Sequence, residues 1–168
     1  MAFGHERVRY AIEQRGYPVD VVRGATASAL DVFPLRARRV AEALQAMRGS
    51  DDFQALAVLF KRVKNIAREL KGGGALERAA LTEAAERGLV DELDARRPRV
   101  EQAAAAADYR RAFTEIAALR SVVDRFFTEV FVMADDERVR TARLTLMAEL
   151  RDLILGLADI SEIVPQTE

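Results

Sequence analysis

The chain is 168 residues long, with 26 basic and 27 acidic residues, a formal net charge of −1 and 50% hydrophobic content. This is a globular composition of single-domain size, and the charge total gives no argument for a polyanionic partner. The absence of cysteine excludes a disulfide framework, a zinc ribbon and a thiol nucleophile, and the lone histidine, His5, excludes any site that needs two.

Alanine (30), arginine (23) and leucine (17) dominate, with only four prolines, so a mostly helical chain follows from propensity. The arginine total itself is read as a base-composition bias. The longest uncharged run is eight residues, 53–60, against the ~20 needed to span a bilayer, and MAFGHERVR has no apolar signal core. A cytoplasmic protein with no membrane partner is the expectation.

In chain order, the pattern predicts a first helix over 4–15, stopped by Gly16 and Tyr17-Pro18. A short second helix follows over 20–30, and a third over 35–47 starts near Pro34 and stops at Gly49. Ser50 is the N-cap of the clearest helix, 51–71, with Asp51 and Asp52 in its positive first turn. Leu56, Leu59, Phe60, Val63, Ile66, Ala67 and Leu70 form its apolar stripe, and Gly72-Gly73-Gly74 ends it. Residues 75–97 read as helix interrupted at Gly88, with a kink or new start at Pro98, and the alanines at 103–107 as helix packed closely against a neighbour. Asp108 caps a helix that buries Phe113, Ile116, Leu119, Val123, Phe126 and Phe127; Asp135 caps the last one, which buries Leu146, Leu150, Ile154 and Leu157. Residues 130–133 are the only short β-branched stretch. The expected fold is all-α, a bundle of about six to seven helices.

Charge divides at the triple glycine: residues 1–71 carry net +5 and residues 72–168 net −6. Either the two halves attract each other, or the first presents a basic surface to phosphate. Catalytic motifs are absent. No glycine precedes a lysine as a P-loop requires, no GxSxG occurs, and Asp135-Asp136-Glu137 sits where helix capping explains it better than a cation does. No catalytic residues and no metal ligands are assigned, and His5 reads as an exposed bystander.

The sharper signal lies on helix 51–71. Lys61, Lys64, Arg68 and Lys71 fall on one side of a helical wheel, away from the apolar stripe, with Asn65 beside them; they include all the lysines of the chain. Cations at i, i+3, i+7 and i+10 can follow a phosphate backbone, and an asparagine amide can read a base edge. Periodicity alone favours a solvated basic face by about two to one. A second signal is residues 122–143, where Phe126, Phe127 and the Val-Phe-Val-Met run read as core, and Arg138, Arg140 and Arg143 lie close by.

These segments resemble a known family. Phe60-Lys61-Arg62-Val63-Lys64-Asn65-Ile66 resembles the KRVKNI element of the bacterial glycyl-tRNA synthetase β subunit, and VDRFFTEVFVMADDERVR (123–140) resembles its VDxFFDxVMVMAxDxxxR segment. RGYPVDVV (15–22) and LADISEIV (157–164) fit the same pattern, so the resemblance covers most of 8–164. Thr141-Ala142 stand where the family usually has two asparagines, and Thr128 stands where it usually has aspartate.

The resemblance implies a C-terminal, DALR-type anticodon-binding domain: 1–168 as one domain of a longer β subunit, with residues 1–4 open to being a cloning junction. It further implies that the domain grips the anticodon arm of glycine tRNA, while ATP- and magnesium-dependent glycine attachment is carried out by the α subunit and the remaining β domains. No cofactor is then expected in this chain. Glycine anticodons end in two cytosines, whose acceptors Asn65 or an arginine can satisfy. The implied RNA-binding residues are Lys61, Arg62, Lys64 and Asn65, then Arg140 and Arg143; Arg68 joins them from the wheel alone. The alternatives are the corresponding domain of an arginyl-type synthetase and a helical protein–protein interaction module.

Overall fold

The computed structural model describes residues 2–27 and 34–164, with side chains from residue 6 onward. The side chain of His5, residues 28–30 of the expected second helix and residue 1 of the possible junction lie outside the described residues. The described residues form eight α-helices and no strand: α1 Ala2–Glu13, α2 Val19–Ala25, α3 Pro34–Met47, α4 Asp51–Ala67, α5 Ala84–Ala105, α6 Tyr109–Ala117, α7 Arg120–Glu129 and α8 Glu137–Leu155. Two single 3₁₀ turns, Arg78–Ala80 and Ile160–Glu162, complete the set. The all-α bundle read from the sequence is the architecture of the chain.

α4 lies at the junction of the packing, against α8, α7, α6 and the Ile160–Glu162 turn, while α5 packs on α6 and α7, and α3 on α2 and α6. Ser50 caps α4 as expected, its hydroxyl accepting the Phe53 N–H at 3.3 Å. Phe53 meets Phe113 of α6 edge to face at 5.9 Å, an arrangement that aromatic quadrupoles favour. Asp108 caps α6 through the Arg111 N–H. The last helix is capped one residue later than expected: Asp136, rather than Asp135, accepts the Val139 N–H.

Several boundaries differ from the sequence reading: the helix expected over 51–71 ends at Ala67, and the one expected from residue 75 starts only at Ala84, after a connection that holds the Arg78–Ala80 turn. The stretch expected as one helix from Asp108 to Phe127 is divided at Ala118 and Leu119. Steps of three residues (113, 116, 119) each fall about 60° short of a full turn, so the apolar stripe winds off the inward face of a straight helix. A 3₁₀-type bond from the Leu119 N–H to the Ile116 carbonyl resets the axis, which lets Leu119, Val123 and Phe126 bury fully. Conversely, α5 runs unbroken through Gly88 and Pro98. Pro98 is exposed, so its missing N–H costs a ladder bond on the wet side, while buried Leu89, Leu93, Val100 and Ala103 hold the inward face.

The long connection from α4 to α5 is tied down by two ion pairs, Arg78–Asp94 at 2.6 Å and Arg138–Glu77 at 2.6 Å. Hydrogen bonding from Arg78 holds the Asp94 carboxyl below its ordinary range, with the Arg78 and Arg97 charges acting in the same direction.

α5 ends in a Schellman turn: the Asp108 N–H reaches the Ala103 carbonyl at 2.8 Å and the Ala107 N–H the Ala104 carbonyl at 3.0 Å. The left-handed position of that turn is Ala107, with φ 56°, where a Cβ is disfavoured. Ala107→Gly is therefore expected to stabilise the chain by about 0.5–1 kcal/mol, less than the full left-handed penalty because glycine also loosens the unfolded chain. Urea unfolding checks this, and a loss of stability would contradict the turn.

Candidate nucleic-acid interface

The setting of α4 about its own axis decides which of its polar residues reach solvent. Phe53, Leu56, Phe60 and Val63 are wholly buried and fix the inward face. Lys61, Arg62, Asn65 and Arg68 then face outward, with exposed Val58 one turn above Arg62. None of these four has a carboxylate partner among the described residues, nor has Lys71. Arg62 touches an aromatic instead: its Cζ lies 4.4 Å from the centroid of the Phe127 ring on α7. Most arginines beyond the triple glycine are, by contrast, neutralised internally, as in Arg96–Glu92, Arg97–Glu149, Arg120–Asp52 and Arg125–Glu129. Across the triple glycine the ion pairs Lys64–Asp159 and Arg120–Asp52 run in opposite senses and offset each other, so among the described residues the +5 of the first half is not consumed by pairing with the second. Other exposed arginines also lack a carboxylate partner among the described residues, among them Arg7, Arg15, Arg23, Arg38 and Arg111, but they lie outside α4; Arg39 of α3 and Arg110 of α6 share a cleft with Glu42 and Asp108.

Three of the residues read as RNA contacts are engaged within the fold. Lys64 lies one turn on from Lys61 but is taken up by the fold: its Nζ donates to Asp159 Oδ2 at 2.7 Å and to Ser161 Oγ at 2.9 Å. α4 also stops at Ala67 and turns, so Lys71 leaves the helical register and the line at i, i+3, i+7 and i+10 is broken. Arg143 is 7% exposed, and its Nε donates to the fully buried Glu86 at 2.5 Å. Its Nη1 donates to the Phe131 carbonyl at 2.6 Å and its Nη2 to Glu83 at 3.3 Å. Arg140 is half-buried and closes the turn before α8 by donating to the carbonyls of Ala134 and Asp135. Along a helix these cations look alike; what separates them is acceptors up to 97 residues away in sequence.

The run at 130–133 departs from its reading as core. Val130 and Val132 are buried, but Phe131 is 74% and Met133 43% exposed. Val130 is extended at the end of α7 and a turn follows at Val132 and Met133, which leaves the two valines inward and Phe131 and Met133 outward; the valines two residues apart were the signal available in the sequence. The two family-like segments do meet. Lys71 and Glu69 beyond α4 line a cleft of about 250 Å³ with Met133, Arg140 and Thr141 at the start of α8. Of the two positions where the family usually has asparagine, Thr141 is exposed in this cleft and Ala142 is buried. Among the described residues no group of three or more acidic or histidine side chains is arranged to hold a metal, and no helix is long and apolar enough to cross a membrane.

Residues 57–163 match the model of the DALR anticodon binding domain. The chain belongs to the DALR anticodon-binding family. It is also similar to glycine–tRNA ligase β subunits: 43% identical to that of Acidobacterium capsulatum over 98% of this chain and 24% of the relative. Against the β subunits of Acinetobacter baumannii and Moorella thermoacetica it is 41% and 36% identical, over 96% and 97% of the chain and 23% of each relative. The chain thus spans about a quarter of the length of the curated relatives it matches. Within this DALR domain, the segments that carry the resemblance supply much of its internal wiring. Asp20 of RGYPVDVV pairs with Arg48 at 2.9 Å and accepts the Val164 N–H, and Asp159 of LADISEIV pairs with Lys64.

The two lysines of the KRVKNI-like element are accordingly expected to behave oppositely. Lys64→Ala, which leaves Asp159 without its cation in a partly buried site, should cost about 1–3 kcal/mol in urea unfolding. Lys61→Ala should change stability by less than about 0.5 kcal/mol. Equal effects of the two substitutions would contradict the assignment of Lys64 to the fold.

Proposed function

We propose that this chain is the tRNA-binding module of a glycine–tRNA ligase and holds the anticodon arm of glycine tRNA on the outer face of α4. The observation that carries this reading is the row Lys61, Arg62, Asn65 and Arg68: exposed, without carboxylate partners, on a helix whose other face is locked into the core. The DALR match and the similarity to glycine–tRNA ligase β subunits support it. An anticodon loop offers both features such a row can use, a phosphate backbone for cations and unstacked bases for planar or amide side chains. Lys61 and Arg68 hold phosphates, and Asn65 and Arg62 face the bases. Arg140, with Lys71, borders the RNA at the cleft before α8, whereas Lys64 and Arg143 act through the fold. In this reading glycine attachment, with its ATP and magnesium, belongs to the remaining β-subunit domains and the α subunit, which are this domain's protein partners in the cytoplasm.

A second reading, a helical protein–protein adaptor, draws on the exposure of Phe131 and Met133. Salt separates the two, because counterion release makes phosphate binding steeply salt-dependent and apolar docking does not.

Titration of the chain with glycine tRNA and with a non-cognate tRNA between about 50 and 200 mM salt should show steep salt dependence and preference for the glycine tRNA. Lys61→Ala combined with Arg68→Ala should weaken binding and lower the slope of log K against log salt by about 1–2, with the fold unchanged. Salt-insensitive binding, or an unaltered slope in the folded double variant, would overturn the proposal.

A further inference from the structure

Arg62 differs from its neighbours on the outer face of α4. Lys61 and Arg68 extend into solvent with no side-chain partner among the described residues, but the Arg62 guanidinium carbon sits 4.4 Å from the centroid of the Phe127 ring. That is well inside the roughly 6 Å within which a cation lies over the face of a ring. Phe127 is itself only 9% exposed and is backed edge-on by Phe126, with centroids 5.6 Å apart and planes at 75°. The ring is thus fixed from behind by α7, and the exposed cation lies on its front. No carboxylate or carbonyl competes for Arg62 among the described residues.

An arginine held this way differs from a flexible surface arginine. Its guanidinium head is already placed over the ring, so less rotamer freedom remains to be lost on binding, and the exposed residue can offer its outer side to a flat ligand. Asn65 lies three residues further along the helix, where side-chain roots are about 5–6 Å apart, within reach of the edge of such a ligand. Lysine at position 62 would carry the same charge without the plane.

We propose that Arg62 laid on Phe127 is a stacking platform for one unpaired base of the RNA loop. Phe127 is its positioning residue, and Asn65 reads the base edge. The platform rests on the anticodon-arm reading above and names the part of α4 that distinguishes bases from phosphates. Phe127 acts only through Arg62 and makes no contact with RNA.

The test uses this chain and an RNA hairpin carrying the glycine anticodon loop, with 2-aminopurine at one loop position at a time. Arg62→Lys is expected to weaken binding by about tenfold and to abolish the fluorescence change at one loop position, while leaving the salt slope unaltered because the charge is kept. Phe127→Leu, which keeps an apolar side chain but removes the ring face, should produce the same pair of effects, and Phe127→Tyr should retain wild-type binding. The double variant Arg62→Lys with Phe127→Leu should lose no more than either single one. Should Phe127→Leu fail to fold, exposed Arg62→Lys and the ring-preserving Phe127→Tyr still decide the matter. Wild-type binding by Arg62→Lys, or a loss accompanied by a lower salt slope, overturns the platform and leaves the anticodon reading standing. Failure of the unmodified chain to bind the hairpin overturns both.

Discussion

The burial of one face of α4 is the constraint on which the remaining structure depends. Phe53, Leu56, Phe60 and Val63 are completely removed from solvent, each worth about 1.5–3 kcal/mol in the transfer sense, and α6, α7, α8 and the Ile160–Glu162 turn pack around them. A helix gripped this firmly cannot rotate, so its opposite face is defined as well. Lys64 stands at the border between the two. Its stem runs beside Phe60, with Nζ 5.8 Å from the ring centroid, and the charge is taken up by Asp159 and Ser161. Asp159 in turn sends its N–H to the Gly24 carbonyl at 3.0 Å. Gly24 has to be glycine for this approach, since a Cβ there would meet the Asp159 carbonyl oxygen at 3.0 Å. One lysine thereby joins α4, α2 and the end of the chain.

Buried charge pairs of this kind add little net stability compared with apolar packing of the same volume, but they accept only one geometry. Arg143 illustrates the second property. With Glu86 fully buried and the Phe131 carbonyl on the same guanidinium, it fixes α8 to α5 and sets the height of the segment that carries Phe131 and Met133 outward. Asp20, shared between Arg48 and the Val164 N–H, ties α2 to the segment beyond the Ile160–Glu162 turn. The cations that reach solvent on α4 are those for which the fold supplies no such acceptor.

This explains how much was legible in the sequence. Periodicity alone located the buried stripe of α4, and the caps at Ser50 and Asp108 followed from side-chain chemistry, because both are encoded within a few residues. The division between α6 and α7 was also present in the three-residue spacing of 113, 116 and 119, although the apolar content read as one helix. The long reach of α5 across Gly88 and Pro98 was not, since tertiary packing overrides two poor helix formers there. At the site, the wheel placed Lys61, Asn65 and Arg68 outward, as the structure has them. It could not separate Lys64 from Lys61, or Arg143 from Arg140, because the partners Asp159 and Glu86 lie 95 and 57 residues away. The ring beneath Arg62 was hidden for the same reason.

The central claim is that RNA is held on the outer face of α4, and that Lys64 and Arg143 of the same motifs, paired within the fold, do not touch it. The most direct measurement is nuclear magnetic resonance mapping of this 18.7 kDa chain during titration with an RNA hairpin bearing the glycine anticodon loop. The account predicts the largest shifts at Lys61, Arg62, Asn65 and Arg68, with the buried side chains of Arg143 and Glu86 unmoved. Shifts centred on Phe131 or on Arg38 and Arg39, with the outer face of α4 silent, would contradict it.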